Sequence, residues 1–283
     1  MRTVLISGLG LIGSSIARII KQADSTIQII GVDPDDRSVD FLMAQLVIDQ
    51  RRSFAEAAPL ADLIVLAGPV SVIIEQINEL VSLSLKPDVL VTDVGSSKVK
   101  IMAAATHLSA RQVAFVGGHP MAGSDKVGSR FGRVDLFSGA AYFLVAQSQT
   151  DTQLNQFKRL MAPANVNWQM IDAKAHDHLV SELSHVPHIV ATTLVNTVAK
   201  SLENNPLGLK VAAGGFKDTT RIAGASPEMW TAVALSNADE ITRDLDQFKN
   251  QLSELQAAIK RGDRQRVFEI FEAASKIRKS LNH

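Results

Sequence analysis

Residues 3–17 read TVLISGLGLIGSSIA, and the spacing of Gly8, Gly10 and Gly13 within them decides the fold. Thr3 to Ser7 form a short apolar, β-rich run, and a helical run opens at Gly13. Asp33 ends the next strand, 20 residues after Gly13. A glycine triplet alone is weak evidence, but between a strand and a helix, with the acid in place, it marks a dinucleotide-binding βαβ unit. Gly8 permits the tight turn, Gly10 lets backbone approach a pyrophosphate, and Gly13 lets helix and strand pack closely. Phosphates then sit on the helix N-terminus, where unpaired N–H groups and the helix dipole favour negative charge. The expected cofactor contacts are Gly8, Leu9, Gly10, Leu11, Ile12, Gly13 and Asp33. Asp33 accepts from the adenosine ribose hydroxyls and repels a 2′-phosphate, which favours NAD over NADP, with Arg37 nearby softening that preference.

Outward from this unit, strand patterns recur at 27–32, 62–67, 89–92, 113–116, 142–146 and 166–171. Most are continuous apolar runs, as in parallel strands buried on both faces, and helical segments separate the earlier ones. The expectation is a mostly parallel, doubly wound Rossmann domain over 1–172, followed by an all-α substrate and dimerisation domain over 173–283. In that second half Leu179, Leu183, Val186, Val190, Leu194 and Val198 keep helical spacing, and Ser226-Pro227-Glu228 is a helix start. Ile241, Leu245, Phe248, Leu252, Leu255 and Ile259 form a heptad seam that wants a partner helix. After Gly262-Asp263 a last helix carries Val267, Ile270, Phe271, Ala274 and Ile277. A homodimer and an intramolecular helical hairpin both answer that pattern.

Bulk composition excludes several function classes. The 283 residues are 46% hydrophobic, enough for a substantial core, and the 29 basic and 29 acidic residues cancel. A neutral chain is a poor partner for nucleic acid or a polybasic membrane surface. The absence of cysteine rules out disulfides and thiol chemistry and fits a reducing compartment, so a cytoplasmic location is expected. The first 20 residues have a basic residue ahead of an apolar run, like a signal peptide. Interrupting glycines and the following Arg18 and Lys21 speak against that reading.

Four further stretches carry chemistry: DVGSSK at 93–98, GGHPMAGS at 117–124, SHVPH at 184–188 and FKDTTRIA at 216–223. The first two close neighbouring strands on the C-terminal edge, where α/β sheets bind ligands. Together with the glycine fingerprint, and in this order along nearly the whole chain, they resemble the prephenate/arogenate dehydrogenase family, the TyrA-type enzymes of tyrosine biosynthesis. The resemblance implies a Rossmann domain followed by a helical dimerisation domain, in a minimal form without a chorismate mutase or ACT module. It also implies a reaction in which hydride leaves C4 of prephenate for NAD. The 4-hydroxyl gives up its proton, and the ring carboxylate departs as CO2.

The resemblance places His119 on the 4-hydroxyl as the catalytic group, a task suited to an imidazole. Gly117 and Gly118 would then leave room for the nicotinamide and substrate rings. Ser96 matches the family's serine beside that histidine, although a helix cap is an alternative role. Arg221 is the candidate for a substrate carboxylate, which a guanidinium fork binds through parallel hydrogen bonds, unless Asp218 takes it. His185 and His188 lie at the substrate end, with His188 preferred for contact and a bend expected at Pro187. His176 and His178 read as a solvated helix start. The four histidines lack the i, i+4 spacing of a helical zinc motif, so no metal is expected. Asp125 could favour the ammonium of arogenate or pair with a basic side chain, which leaves prephenate and arogenate both open. A 3-hydroxyacid dehydrogenase is the nearest rival, but SELSHVPHIVATTL at 181–194 lacks a central lysine. A non-catalytic NAD-responsive regulator is the other, with no need to keep His119, Ser96 and Arg221 together.

Overall fold

The computed structural model describes residues 1–123 and 126–281. Contacts divide the chain into two compact units, Met1–Asn237 and Ala238–His283. The first is built on strands β1 (Thr3–Ser7), β2 (Gln28–Val32), β3 (Gln50–Arg51), β4 (Leu63–Leu66), β5 (Leu90–Asp93), β6 (Ala114–Pro120), β7 (Ala141–Ala146) and β8 (Asn167–Met170). They form one sheet in the order β3-β2-β1-β4-β5-β6-β7-β8. Pairing is parallel except between β6 and β7. The order reverses between β1 and β4, the topological switch point where such sheets bind ligands. The strand expected at 113–116 continues to Pro120, so His119 stands on the strand itself, opposite Phe143. The short edge strand β3 has too few residues to carry a periodicity.

Helices α1 (Leu11–Ala23), α2 (Asp36–Ala44), α3 (Phe54–Ala57), α4 (Val70–Leu80), α5 (Val99–Ser109) and α6 (Asp151–Leu160) cover both faces. Alternation along β1 explains the layering: Val4 and Ile6 join the core with α1 and α6, while Leu5 joins the core with α4 and α5. The central strands β1, β4 and β5 are buried on both faces and have no polar side to display, whereas the edge strands β3 and β8 are largely exposed. This is a Rossmann fold, and helices follow it throughout: α7 (Ala173–Val180), α8 (Val186–Ser201), α9 (Gly214–Thr220) and α10 (Pro227–Ser236).

The second unit is a helical hairpin of α11 (Ala238–Arg261) and α12 (Arg264–Ser280). The chain reverses at Gly262, whose φ of +67° is the left-handed conformation that favours glycine at a helix end. Asp263 caps α12 by accepting from the Arg266 amide at 3.0 Å. Folding back does not consume the apolar seam: Phe248, Leu252, Ile259, Phe271 and Ile277 stay between 41% and 66% exposed. Among the described residues no helix is long and apolar enough to cross a membrane.

Candidate active site

The glycine turn has the shape a dinucleotide requires. Gly8 has φ +93°, and a Cβ there would lie 2.6 Å from the carbonyl carbon and oxygen of Ala67. A Cβ on Gly13 would lie 1.9 Å from the Gly8 oxygen. These two glycines are demanded by the protein's own backbone. Gly10 differs, because a Cβ there would meet nothing within 4 Å, so its bareness keeps open the space a ligand approaches. Gly10 is also the N-cap of α1, with no capping side chain and no acid in the first turn. An uncapped helix N-terminus facing open space suits a diphosphate. Asp33 braces the turn, one oxygen accepting the Leu9 amide at 2.6 Å and the other the Asp35 amide at 2.8 Å.

His119 is half-buried and is the first member of a hydrogen-bonded chain. Its Nδ1 lies 2.9 Å from Nε2 of His176, whose Nδ1 lies 2.8 Å from Oδ1 of Asp177. His176 and Asp177 are buried. The direction of the chain follows from its far end. A carboxylate only accepts, so His176 donates to it from Nδ1, and in the matching tautomer its Nε2 accepts from His119. His119 therefore donates from Nδ1, and its Nε2 keeps a free lone pair. Burial, followed by the nearby His176, Lys98 and His185, holds the His119 imidazole well below its usual pKa, which keeps it an acceptor at neutral pH.

This placement corrects the expectation for His176, which is a buried partner of His119 and no solvated helix start. Its helix position carries the signal: His176, Asp177, Val180 and Ser181 share the buried face of the helical stretch. His178, on the opposite side, is exposed as expected.

Asp177 has a second task. It accepts the amides of Lys98 at 2.6 Å and Val99 at 2.9 Å and so caps α5. The capping alternative for Ser96 is thereby filled by another residue. Ser96 is half-buried and has no hydrogen-bond partner among the described residues, so its hydroxyl is free for a ligand.

The DVGSSK stretch contributes more than its serine. Lys98 is fully buried and its ammonium bonds Asp93 and, at 2.7 Å, the Gly118 carbonyl. Asp93 in turn accepts the amides of Gly95 at 2.7 Å and Gly118 at 3.1 Å. Gly118, the residue before His119, is thus held at both its amide and its carbonyl. Spacing alone singled out neither Lys98 nor Asp93. The glycines before His119 also have a reason other than ligand space. A Cβ on Gly118 would lie 2.5 Å from the Asp93 carbonyl oxygen, and one on Gly117 would lie 2.7 Å from the Met102 sulfur.

Farther along, a π turn over Ser181–His185 joins α7 to α8, its Val186 amide donating to the Ser181 carbonyl. The helix absorbs Pro187 through this widened turn, a device frequent at functional sites. His185 and His188 are both buried against Trp230: His188 stacks on the indole at 3.5 Å and 12°, and His185 meets it edge-on at 6.2 Å. Burial pushes His188 down and takes His185 to about 4. The Asn237 amide approaches His185 Nδ1 at 3.3 Å and donates to the Asp177 carbonyl at 2.7 Å, tying this cluster to the His176–Asp177 helix.

Arg221 begins a short helical turn that packs on α8. It is exposed and has no ion pair among the described residues, Asp218 included, so its guanidinium is free for a carboxylate. Asp125 lies outside the described residues.

Known proteins are similar to this chain over nearly its whole length. The family model described as "Prephenate dehydrogenase, nucleotide-binding domain" matches residues 16–170, and "Prephenate dehydrogenase, dimerization domain" matches residues 172–273. A prephenate dehydrogenase of Lactococcus lactis is 39% identical over 282 residues, covering 99% of this chain and 78% of that protein. One from Bacillus subtilis is 36% identical over 281 residues, covering 99% and 76%. The crystal structure of the Aquifex aeolicus prephenate dehydrogenase in complex with hydroxyphenyl propionate and NAD+ superposes with a TM-score of 0.89. It is 29% identical and covers 99% of this chain and 98% of its own. The chain belongs to the prephenate dehydrogenase family.

Proposed function

We propose that the chain is an NAD-dependent prephenate dehydrogenase, converting prephenate to 4-hydroxyphenylpyruvate and CO2 in tyrosine biosynthesis. The observation that carries this reading is the His119–His176–Asp177 chain, which leaves Nε2 of His119 as a neutral acceptor. NAD, when bound, supplies the hydride acceptor, and the turn from Gly8 to Gly13 with Asp33 is fitted to hold it. His119 takes the proton of the 4-hydroxyl at Nε2 as hydride leaves C4. His176 and Asp177 then stabilise the imidazolium, because the His119 proton on Nδ1 already faces an acceptor backed by a carboxylate.

In this reading Ser96 orients the hydroxyl, Arg221 holds a substrate carboxylate through its guanidinium fork, and His188 and His185 line the substrate end. The bonding pair left behind as CO2 departs aromatises the ring and puts negative charge on the 4-oxygen, which takes the proton back from His119, so the protein's work is orientation and charge acceptance. Asp125 is assigned to the substrate side on its motif position. The nucleotide-binding part runs over 1–172 and the substrate and dimerisation part over 173–283. The exposed apolar residues of α11 and α12 support a homodimer, and the lack of cysteine supports a cytoplasmic location.

The test is NADH formation by the purified protein with NAD, supplied with prephenate and arogenate in parallel. Release of CO2 and 4-hydroxyphenylpyruvate from prephenate is the expected result. Turnover of arogenate alone would move the assignment to arogenate dehydrogenase and bring Asp125 forward as the ammonium partner. No turnover of either, with NAD still bound, would contradict it.

A further inference from the structure

The loop after β2 holds a second carboxylate whose hydrogen bonds bear on cofactor choice. Asp35 accepts from Arg37 Nε at 3.0 Å and from the Arg37 amide at 3.3 Å through Oδ1. It accepts from the Ser38 hydroxyl at 3.0 Å through Oδ2. Ser38 in turn receives the Ser129 hydroxyl at 3.2 Å, from the segment between β6 and β7. A guanidinium, a hydroxyl and a first-turn amide of α2 therefore converge on one anionic group. The Asp35 amide donates to Asp33, so this group stands directly beside the acid expected to receive the adenosine ribose.

A 2′-phosphate on that ribose needs the same donors: a fork of N–H groups, a hydroxyl and an N–H at a helix start. The other arginines near this edge are engaged: Arg51 pairs with Asp36 and Asp40, Arg52 donates to Gln50, and Arg130 lies over the Phe41 ring. Asp33 is poorly suited to act alone as the selector. Both its oxygens hold backbone amides, Leu9 in the glycine turn and Asp35 in the next loop, so replacing it disturbs the binding of either dinucleotide. Among the described residues the Asp35 side chain hydrogen-bonds Arg37 and Ser38 and none of the glycine turn.

Building on the NAD reading above, we propose that Asp35 sets the preference for NAD over NADP, its carboxylate occupying the guanidinium, hydroxyl and amide donors that a 2′-phosphate would use. Removing that charge frees the Arg37 guanidinium and the Ser38 hydroxyl to receive the phosphate, while the Arg37 amide stays in the cap. The Asp35→Asn variant keeps a good N-cap and so keeps α2.

The experiment is calorimetric titration of NAD and of NADP into the full-length protein, into Asp35→Asn and into Asp35→Asn/Arg37→Ala. No substrate is needed. The wild type is expected to bind NAD well and NADP weakly. The Asn variant should gain about tenfold or more in NADP affinity, the scale of one charge-assisted hydrogen bond, with NAD within about twofold. Adding Arg37→Ala should return NADP binding to the wild-type level. An unchanged NADP affinity in Asp35→Asn, or a gain that survives loss of Arg37, overturns the assignment. Wild-type protein that binds no NAD overturns the cofactor reading itself. Failure to turn over prephenate, with the affinities as expected, leaves the role of Asp35 standing.

Discussion

In the proposed reaction His119 depends on His176, a residue buried behind it. The lone pair on its Nε2 is available because His176 occupies Nδ1, and His176 is held by Asp177. Replacing His176 with Ala frees the His119 ring to turn and to swap tautomers. We expect kcat to fall about 10- to 100-fold, a fraction of the span assigned to general base catalysis, with NAD affinity unchanged. Steady-state kinetics beside direct NAD titration checks the split. The depressed His119 pKa also has a sign. The ring must be neutral to accept, so the acid limb of kcat/KM for the free enzyme lies below the ordinary histidine value of 6.5. Stability follows the same direction. The unfolded chain takes up the proton first, so stability present above pH 6.5 is lost as pH falls toward the folded pKa. A limb at or above 6.5 in the pH profile would contradict the burial of this ring.

At the scale of elements, α7 serves two neighbours through one carboxylate. Asp177 orients His176 and caps the N-terminus of α5, joining the helix after the Rossmann sheet to the loop that carries Ser96 and Lys98. Asp177→Ala should therefore lower stability by about 1–2 kcal/mol, as loss of a helix cap does, and lower kcat as well. Thermal unfolding together with kinetics tests this, and the expected fall in Tm is a few degrees for a chain of this size. Loss of stability with full activity would separate the two tasks. Such a junction is hard to read from sequence. The glycine fingerprint and the strand runs were legible because their spacing is local and periodic, and the extra length of β6 was not because Gly117 and Gly118 interrupt the pattern. The motif histidine stood out for the same local reason. Lys98, Asp93 and His176 did not, since their partners lie 5, 20, 57 and 79 residues away in sequence.

For the molecule as a whole, the open question is what covers the helical hairpin. Phe248, Leu252, Ile259, Phe271 and Ile277 stand exposed along it, and apolar side chains gathered on one surface mark a contact site. With a dimerization-domain model matching residues 172–273, a second copy of the chain is the expected cover. Light scattering should give the mass of a dimer for the 283-residue chain, and the paired changes Leu252→Asp and Phe271→Asp should give a monomer. A wild-type monomer at micromolar concentration would contradict the assignment. The heptad seam was legible in the sequence, but its two answers were not mutually exclusive. The hairpin forms within one chain, and it still presents apolar side chains outward.

The most direct test of the account is the His119→Asn variant, assayed for NADH formation from prephenate while NAD binding is measured on the same preparation. Asparagine can place its amide where Nδ1 faces His176 but offers no base at the Nε2 position. kcat is expected to fall about 10²–10⁴-fold, the range of general base catalysis, with NAD affinity preserved. Turnover within about tenfold of wild type would contradict it, because the proton would then leave by a route that does not need His119.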